Sequence, residues 1–419
     1  MKVVGLVVEY NPFHFGHLYH LKKAKEISGA THVVCIMSGN FMQRGEPAIV
    51  NKWARAEMAI YQGADLVLEL PVCYSLQTAQ FFAYGAVSSL HLTGIADYLC
   101  FGSESGDLPL LKAIAGILLN EPEEFRWYLK SELNKGIPYP KAQANSLINY
   151  INKHTDFHLD EFDIHKLTHN PNNILGIEYL KALAVLNSPI EPISIKRIKA
   201  DYHSDRIKGK IASATAIRKE IFCKNGLNVA KIVPKETFMI LNREFSNGTG
   251  PISSENFYPF ILYLLRRTSK EELLKVFDVS EGLENRIVSE SFRCKSLSEL
   301  ITGIKTKRYT RTRIQRILFN FLLGINKNDV YESYQKGPQY LRVLGFSSKG
   351  KELINKMKIT SRIPIITKAA HYKKIKSPFL KKMFEYDILA TDIYSLAYKN
   401  PEKREQARDF VMNPIILEL

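Results

Sequence analysis

Alternating strand and helix patterns occupy the first hundred residues, and this order restricts the fold more than any other feature of the sequence. The valine-rich runs VVGLVV (3–8) and HVVCIMSG (32–39) are typical of buried parallel strands. DLVLELP (65–71) and DYLCFGSE (97–104) follow the same pattern, and segments with helical spacing separate the four runs. Strands joined by helices form a parallel sheet with right-handed crossovers. The sequence therefore predicts an α/β fold with a Rossmann-like parallel sheet.

A histidine pair follows the first predicted strand, in EYNPFHFGHLYHL (9–21). His14 and His17 flank Gly16 at the start of a predicted helix, beyond the carboxyl end of a strand, where parallel sheets bind ligands. Free N–H groups and the helix dipole attract anions there, and Gly16 lets a ligand approach the backbone. Histidine pairs of HExxH metal sites are four residues apart on a formed helix, which disfavours a metal. The pair therefore predicts a phosphate site; one packed and one solvated histidine is the remaining alternative.

IASATAIRK (211–219) is a second candidate phosphate element. Ser213 and Thr215 could cap a helix and offer hydroxyls to phosphate, and Arg218 could pair with the outer phosphates of a nucleotide. HFGH resembles the HxGH signature of the nucleotidylyltransferase superfamily. IASATAIRK resembles the ISSTxxR element of the same superfamily, but Ala212 departs from that pattern. Alone the segment indicates only an N-capped helix, but with the histidine pair it predicts a nucleotide site.

Charge is distributed unevenly along this chain of net charge +16. Residues 1–110 carry seven Lys and Arg against nine Asp and Glu, a net of −2, whereas residues 295–382 carry 21 against four, a net of +17. Such asymmetry indicates a polyanion partner for the C-terminal half. Beyond about residue 225 amphipathic helical patterns replace the alternation. We therefore expect a domain of residues 1–222 with the nucleotide site and a basic, mainly helical domain of residues 223–419.

Two basic segments in that half combine cations with aromatic residues. KTKRYTRTRIQR (305–316) and KAAHYKKIKSPFLKK (368–382) carry six cations each, with Tyr309 and Tyr372 among them. Cations bind the phosphate backbone and aromatic rings can stack on unpaired bases, which favours RNA over the alternative of a merely solvated helix face. The candidate RNA-binding cations are Lys305, Lys307, Arg308, Arg311, Arg313, Lys373 and Lys374.

Several other classes of protein are disfavoured. No apolar run is long enough to span a membrane, and the N-terminus lacks a signal-peptide pattern. The five cysteines form no CxxC, so neither disulfides nor a zinc site is expected, and a reducing cytoplasm fits. GFSSKGKE (345–352) has P-loop spacing, but Glu352 replaces the magnesium-binding Ser or Thr and the segment lies in a region expected to be helical.

Longer blocks carry a closer resemblance. Residues 1–220 contain GLVVEYNPFHFGHLYHL, MSGNFMQRGEPAIVNKWARAEMAI, GADLVLELP, FGSESGD, PNNILGIEYLKAL and IKRIKADYH in this order. Together the blocks resemble the bacterial tRNA(Met) cytidine acetate ligases. The resemblance implies that ATP and acetate form acetyl-adenylate, and that the acetyl group passes to N4 of the wobble cytidine (position 34) of elongator tRNA(Met). The chemistry leads us to expect Mg²⁺ with the ATP. We expect no membrane association, and the sequence gives no ground to infer a protein partner.

The resemblance also implies site residues. His14, His17 and Arg218 are the predicted catalytic residues. Asn172 is preferred to Asn173 as a nucleotide contact, and Arg44 is a candidate to neutralise acetate, with a surface or RNA contact equally open. No metal-ligating side chains are predicted. The predicted ATP contacts are Val7, Val8, Glu9, Tyr10, Asn11, Pro12, Phe13, His14, Phe15, Gly16, His17, Leu18, Tyr19, His20, Gly102, Asn172, Arg197, Ser213 and Thr215.

Two rival functions remain open. An adenylyltransferase acting on a small nucleotide would keep the predicted fold, but the basic helical half would then be superfluous. A non-catalytic RNA-binding protein would keep the basic half, but it would have no need for intact HFGH and SATAIRK segments.

Overall fold

The structure is a computed structural model that describes residues 1–197, 212–223, 228–280 and 282–418. Residues 198–203 of the IKRIKADYH block and Ile211 lie outside this range. The strands are, in chain order, β1 (Val3–Val8), β2 (His32–Ser38), β3 (Phe41–Met42), β4 (Glu46–Pro47), β5 (Leu66–Leu70), β6 (Tyr98–Ser103), β7 (Glu191–Lys196), β8 (Leu341–Ser347), β9 (Ile365–Ile366) and β10 (Ile415–Leu417).

Helices connect most of these strands. They are α1 (Phe15–Ser28), α2 (Lys52–Tyr61), α3 (Val72–Ser75), α4 (Ala79–Leu92), α5 (Leu108–Asn120), α6 (Glu123–Asn134), α7 (Tyr139–His154), α8 (Glu161–His169), α9 (Pro171–Val185), α10 (Ala214–Cys223), α11 (Val229–Ile232), α12 (Lys235–Ser246), α13 (Tyr258–Arg267), α14 (Lys270–Leu273), α15 (Leu283–Ser291), α16 (Leu297–Ile304), α17 (Arg311–Leu322), α18 (Lys327–Lys336), α19 (Ser348–Thr360), α20 (Pro378–Ser395) and α21 (Arg408–Val411). Three 3₁₀ helices lie at Ser254–Phe257, Ala369–Lys374 and Pro401–Lys403.

The chain groups into two units by its internal contacts. The first contains Met1–Ala96 and Ala200–Leu419, and the second contains Asp97–Lys199. The first unit thus takes in most of the C-terminal half, whereas the sequence predicts a functional boundary at residue 222. That boundary stays a prediction.

The sheet of the first unit has the order β10-β8-β5-β2-β1. Strands β1, β2 and β5 are parallel and in register, so that Val8 pairs with Met37 and Ser38 pairs with Leu70. The residues of β2 and β5 are all buried, as expected for continuous apolar runs covered on both faces. The carboxyl ends of these three strands therefore meet at one edge, where a ligand site is expected.

Strand β8 joins this sheet from the distant C-terminal half. It runs antiparallel to β5, with Glu69 opposite Arg342, so its carboxyl end lies at the opposite edge from the expected ligand site. Ser347 caps α19 there, and a Cβ on Gly350 would lie 1.9 Å from the carbonyl oxygen of Asp65. The P-loop-like segment therefore does follow a strand, contrary to the expectation. Its glycine is packed against backbone, which leaves no space for a phosphate.

A helical core fills the rest of the first unit. Buried apolar side chains of α13, α15, α16, α17 and α20 pack together, and Phe41 of β3 inserts among them. The ring centroids of Phe41 and Phe319 are 5.6 Å apart. Ser269 forms a capping box with Glu272 that starts α14, so α13 and α14 are separate helices.

The second unit contains β6 and β7, which pair in parallel, and helices α5 to α9. Asp107 caps α5 by accepting the N–H of Leu110 at 3.0 Å. The predicted α/β class with a mostly parallel sheet and a mainly helical C-terminal half is confirmed. Among the described residues, no helix is long and apolar enough to cross a membrane.

Candidate active site

The loop between β1 and α1 lies where the sequence predicts an anion site, before the N-terminus of a helix. His14 is the N-cap of α1, and its Nδ1 accepts the backbone N–H of Gly16 at 3.0 Å. In a neutral ring Nε2 then carries the proton and is a donor. The first turn of α1 contains no acidic residue that would repel an anion. The Asn11–Pro12 peptide bond within this loop is cis.

The two histidines lie side by side. Their rings are stacked, with centroids 3.7 Å apart and an interplanar angle of 26°. His17 also contacts the rings of Tyr10 and Phe13, at centroid distances of 4.9 and 5.6 Å. Two rings this close repel each other when both are protonated, and an anion at the helix N-terminus would offset that repulsion. The aromatic contacts thus hold His17 beside His14 at the start of α1.

Arg218 connects the second predicted phosphate element to this loop. Its Nη1 donates to the carbonyl oxygen of Asn11 at 2.9 Å, and its Nη2 donates to Oε1 of Glu46 at 2.7 Å. Ser213 caps α10 by accepting the N–H of Ala216 at 3.1 Å. HFGH and SATAIRK, which are far apart in the sequence, therefore lie next to each other within the first unit. The hydroxyl of Ser213 is engaged in the cap, whereas Thr215 is exposed.

A short hairpin of β3 and β4 borders the same site. Oε1 of Glu9, the residue after β1, accepts the N–H of Gln43 in the hairpin turn at 2.7 Å. The pKa of Glu9 is raised because the carboxylate is desolvated, and the charges of Arg44 and Arg218 oppose that shift. Arg44 is therefore electrostatically coupled to the site, which agrees with either role that the sequence leaves open for it.

Arg55 is a structural residue of the site that the sequence does not single out. It is fully buried on α2, and its guanidinium donates to the carbonyl oxygens of Glu9, Ser38 and Gly39. One side chain thereby satisfies the ends of β1 and β2. Burial lowers the pKa of Arg55 to about 10, which still leaves it charged at neutral pH. The sequence contained one indication of this role, an arginine inside an apolar helical pattern. A cation in such a pattern is expected to be buried, and a buried cation needs hydrogen-bond partners.

The remaining predicted nucleotide contacts cluster in the second unit. Arg197 Nη1 donates to Oδ1 of Asn172 at 2.8 Å, and a Cβ on Gly102 would lie 3.3 Å from Cγ of Arg197. Asn173 is buried, and its Oδ1 accepts the backbone N–H groups of Glu104 and Ser105. Asn173 therefore stabilises the loop after β6, which favours Asn172 as the nucleotide contact. Gly102, Asn172 and Arg197 lie at the carboxyl ends of β6 and β7 or at the start of α9.

The predicted RNA-binding cations are mostly exposed. Lys305, Lys307 and Arg308 lie in the loop before α17. Lys305, Lys307 and Arg311 border an open groove of about 620 Å³ that threonines also line, and Arg308 is exposed beside them in the sequence. Lys373 and Lys374 are exposed as well. Arg313 is more constrained, because its guanidinium donates to the carbonyl oxygen of Asp278 at 2.7 Å.

The structure corrects the expected role of the aromatic residues in these segments. Tyr309 and Tyr372 are 5% and 7% exposed. The ring of Tyr372 stacks on Phe384 at 4.8 Å, and Arg313 lies over the ring of Tyr309 at 5.2 Å. Neither ring is free to stack on a base. Burial of these apolar rings stabilises the helical core instead.

Comparison with known proteins adds to this geometry. Residues 1–409 match the family model described as HIGH Nucleotidyl Transferase. A tRNA(Met) cytidine acetate ligase from Acetivibrio thermocellus is 49% identical over 422 residues, with 100% of both chains covered. The chain belongs to the tRNA(Met) cytidine acetate ligase family.

Other members of the ligase family agree in length and fold. The tRNA(Met) cytidine acetate ligase of Halothermothrix orenii is 44% identical over 421 residues, with 99% of both chains covered. The crystal structure of Thermotoga maritima TmcAL bound with alpha-thio ATP has a TM-score of 0.93 and 38% identity, with 100% of both chains covered. The apo form of that protein has a TM-score of 0.94. The family resemblance and the fold class predicted from the sequence are thus confirmed.

Proposed function

We propose that this chain is an ATP-dependent ligase that joins acetate to N4 of the wobble cytidine, position 34, of elongator tRNA(Met). The observation that carries the proposal is the contact of Arg218 with the loop that bears His14 and His17, in a chain similar over its whole length to ligases of this name. That contact unites two phosphate-binding elements in one site. Cations and preorganised hydrogen-bond donors around the phosphates are what an adenylation reaction needs.

The reaction has two steps. A carboxylate oxygen of acetate attacks the α-phosphorus of ATP, and pyrophosphate leaves with the electrons of the broken P–O bond. N4 of the cytidine then attacks the acetyl carbon of acetyl-adenylate, and AMP leaves. His14 and His17 at the N-terminus of α1 stabilise charge on the α- and β-phosphates, and Arg218 pairs with the departing pyrophosphate. The chain needs no nucleophile of its own, because acetate and the amine attack in turn.

ATP is the proposed co-substrate, and we expect Mg²⁺ to bind with it. Among the residues that the structure describes, no three His, Cys, Asp or Glu side chains converge on a point where a metal could bind. Mg²⁺ keeps several waters and is commonly held through substrate phosphates, so we expect it to bind together with ATP. Gly102, Asn172 and Arg197 remain predicted ATP contacts in the second unit.

The exposed cations before and at the start of α17 support tRNA as the acceptor. Lys305, Lys307 and Arg311 border a groove that no acidic residue lines, Arg308 is exposed in the same loop, and such clustered cations bind a phosphate backbone. Arg313, Lys373 and Lys374 are also proposed to contact tRNA. We place the enzyme in the cytoplasm, where ATP and tRNA are present, and we infer no protein partner.

The proposal is tested by incubating the protein with ¹⁴C-acetate, ATP and total tRNA. Label in RNA that requires ATP and persists with excess unlabelled acetyl-coenzyme A supports the ligase. Label that appears only in a small nucleotide product would instead support a small-molecule adenylyltransferase. The absence of any ATP turnover would support a non-catalytic RNA-binding protein.

A further inference from the structure

Glu9 lies in the loop predicted to contact ATP, but its carboxylate has no role in the proposed phosphate chemistry. It is the first residue after β1, and its backbone carbonyl accepts Nη1 of Arg55 at 2.6 Å. Oε1 accepts the N–H of Gln43 at 2.7 Å, and in the described part of the chain Oε2 accepts no hydrogen bond. The residue is only partly buried. Glu9 is thus a positioned carboxylate with one oxygen held and the other available.

The charges around Glu9 come from three different elements. Arg44 and Glu46 lie in the hairpin, Arg218 lies on α10, and Arg55 on α2 holds the backbone of Glu9. Arg218 is partly neutralised by Glu46, since their side chains form an ion pair of 2.7 Å. A negative carboxylate beside the phosphates of ATP would repel them, so this residue would weaken a site whose only purpose were nucleotide binding.

The hairpin connects Glu9 to the proposed RNA surface. Gly45, between β3 and β4, has φ +73°, and a Cβ there would lie 2.3 Å from the backbone nitrogen of Arg316 on α17. The turn of the hairpin therefore lies directly on that helix, and the N-terminal turn of α17 carries Arg311. Gln43 of the same turn donates to Glu9. A single rigid hairpin thus lies between the catalytic loop and the helix that presents cations to RNA.

We propose that Glu9 is the general base of the acetyl-transfer step, an inference that rests on the function proposed above. As the N4 nitrogen forms its bond to the acetyl carbon and the bond to the AMP oxygen breaks, a proton of N4 passes to Oε2 of Glu9. AMP leaves with the electron pair of the broken bond. Amide formation therefore balances without a further reagent. The first step, attack by acetate on ATP, releases no proton and does not require Glu9.

The electrostatics of the site agree with this role. Burial raises the pKa of Glu9, and the negative charge of Glu46 adds to that effect, while the N–H of Gln43, Arg44 and Arg218 oppose it. A carboxylate with a raised pKa is a stronger base than a solvated one. Transfer should therefore slow on acidification, because protonated Glu9 accepts no proton.

The two half-reactions separate this role from a role in nucleotide binding. Acetate-dependent exchange of labelled pyrophosphate into ATP measures the first step. The enzyme–acetyl-adenylate complex, isolated by gel filtration and mixed rapidly with tRNA(Met), measures the second. Glu9→Gln keeps an oxygen for the N–H of Gln43 and removes the base. We expect transfer to fall about 10²- to 10⁴-fold more than exchange does, the usual contribution of a general base.

Control variants distinguish loss of the general base from a general loss of activity. Glu26→Gln removes an exposed carboxylate of α1 that pairs with Lys23, and it should leave both steps unchanged. Glu9→Asp should recover part of the transfer rate, and Glu9→Gln should lose the acid limb of the pH profile of transfer. Wild-type transfer rates in Glu9→Gln, or an equal loss of exchange and transfer, would overturn the assignment. A wild-type enzyme that forms no acetyl-adenylate would overturn the proposed function itself.

Discussion

Replacing Arg218 by lysine tests whether the two phosphate elements act together. The arginine makes two contacts in different directions, 2.9 Å to the carbonyl oxygen of Asn11 and 2.7 Å to Oε1 of Glu46. A lysine keeps the positive charge but cannot reproduce this fork. Loss of one charge-assisted hydrogen bond costs about 1.5 to 3 kcal/mol. Since each 1.4 kcal/mol is about tenfold, kcat/KM for ATP should fall roughly 10- to 100-fold.

The assay is acetate-dependent exchange of pyrophosphate into ATP, because it reports the first step without tRNA. Lys219→Gln is the matched control, since Lys219 is the exposed neighbour on the same helix and should not affect exchange. Binding of tRNA should be unchanged in both variants. Normal exchange in Arg218→Lys, or equal losses in the two variants, would contradict a specific role of Arg218 at the phosphates.

Three further predictions address the histidines, the RNA surface and a buried acid. His17→Ala should abolish exchange while tRNA binding, measured on filters, survives; equal loss of both would refute this division of labour. Changing Lys307, Arg308 and Arg311 to Ala should weaken tRNA binding and reduce the slope of log K against log salt by about 2 to 3, at normal exchange; an unchanged slope would count against these contacts. Burial raises the pKa of Asp387 from 3.8 to about 7. The folded protein then holds a proton that the unfolded chain has lost, so stability should fall as pH rises between these values, and Asp387→Asn should flatten that fall in urea denaturation. The same decline in wild type and variant would refute it.

The part of the site that the sequence predicts best depends on local patterns. Strand β1, the HFGH loop and α1 follow one another within 30 residues, and apolar periodicity locates each of them. A Ser followed by an apolar helical pattern likewise predicts the cap of α10 at Ser213. Periodicity does not show which distant segments of the chain contact each other. The ion pair of Arg218 with Glu46 joins residues 172 positions apart, and the sequence offers no spacing rule for it.

Strand β8 shows a second limit. LRVLGFS is a short apolar run, and such runs do not distinguish a buried strand from a helix segment. Its neighbours are helical, so the expectation of a mainly helical C-terminal half did not include this strand. The structure instead pairs it with β5, where Arg342 reaches Glu69 and Asp409 within a buried network that also contains Lys52. The sequence indicated this pairing only through cations and acids in separate segments. The structure buries them together, because charged side chains are rarely buried unless they are paired.

The aromatic residues of the basic segments illustrate a third limit. Composition alone cannot tell a tyrosine that stacks on RNA from one that fills the core, since both roles favour the same ring beside the same cations. Tyr309 and Tyr372 lie in the core, while the cations next to them remain at the surface. The charge pattern therefore predicted the exposed surface correctly, and only the interpretation of the rings was wrong.

The most direct test of the central claim follows an oxygen atom. With acetate labelled by ¹⁸O in both carboxylate positions, attack on the α-phosphorus of ATP places one labelled oxygen between the acetyl group and AMP. Transfer of the acetyl group to tRNA(Met) then leaves that oxygen on AMP. Mass spectrometry of the products should find one ¹⁸O in AMP for each N4-acetylcytidine formed. AMP without ¹⁸O, or label in inorganic phosphate released with ADP, would contradict adenylation of acetate at this site.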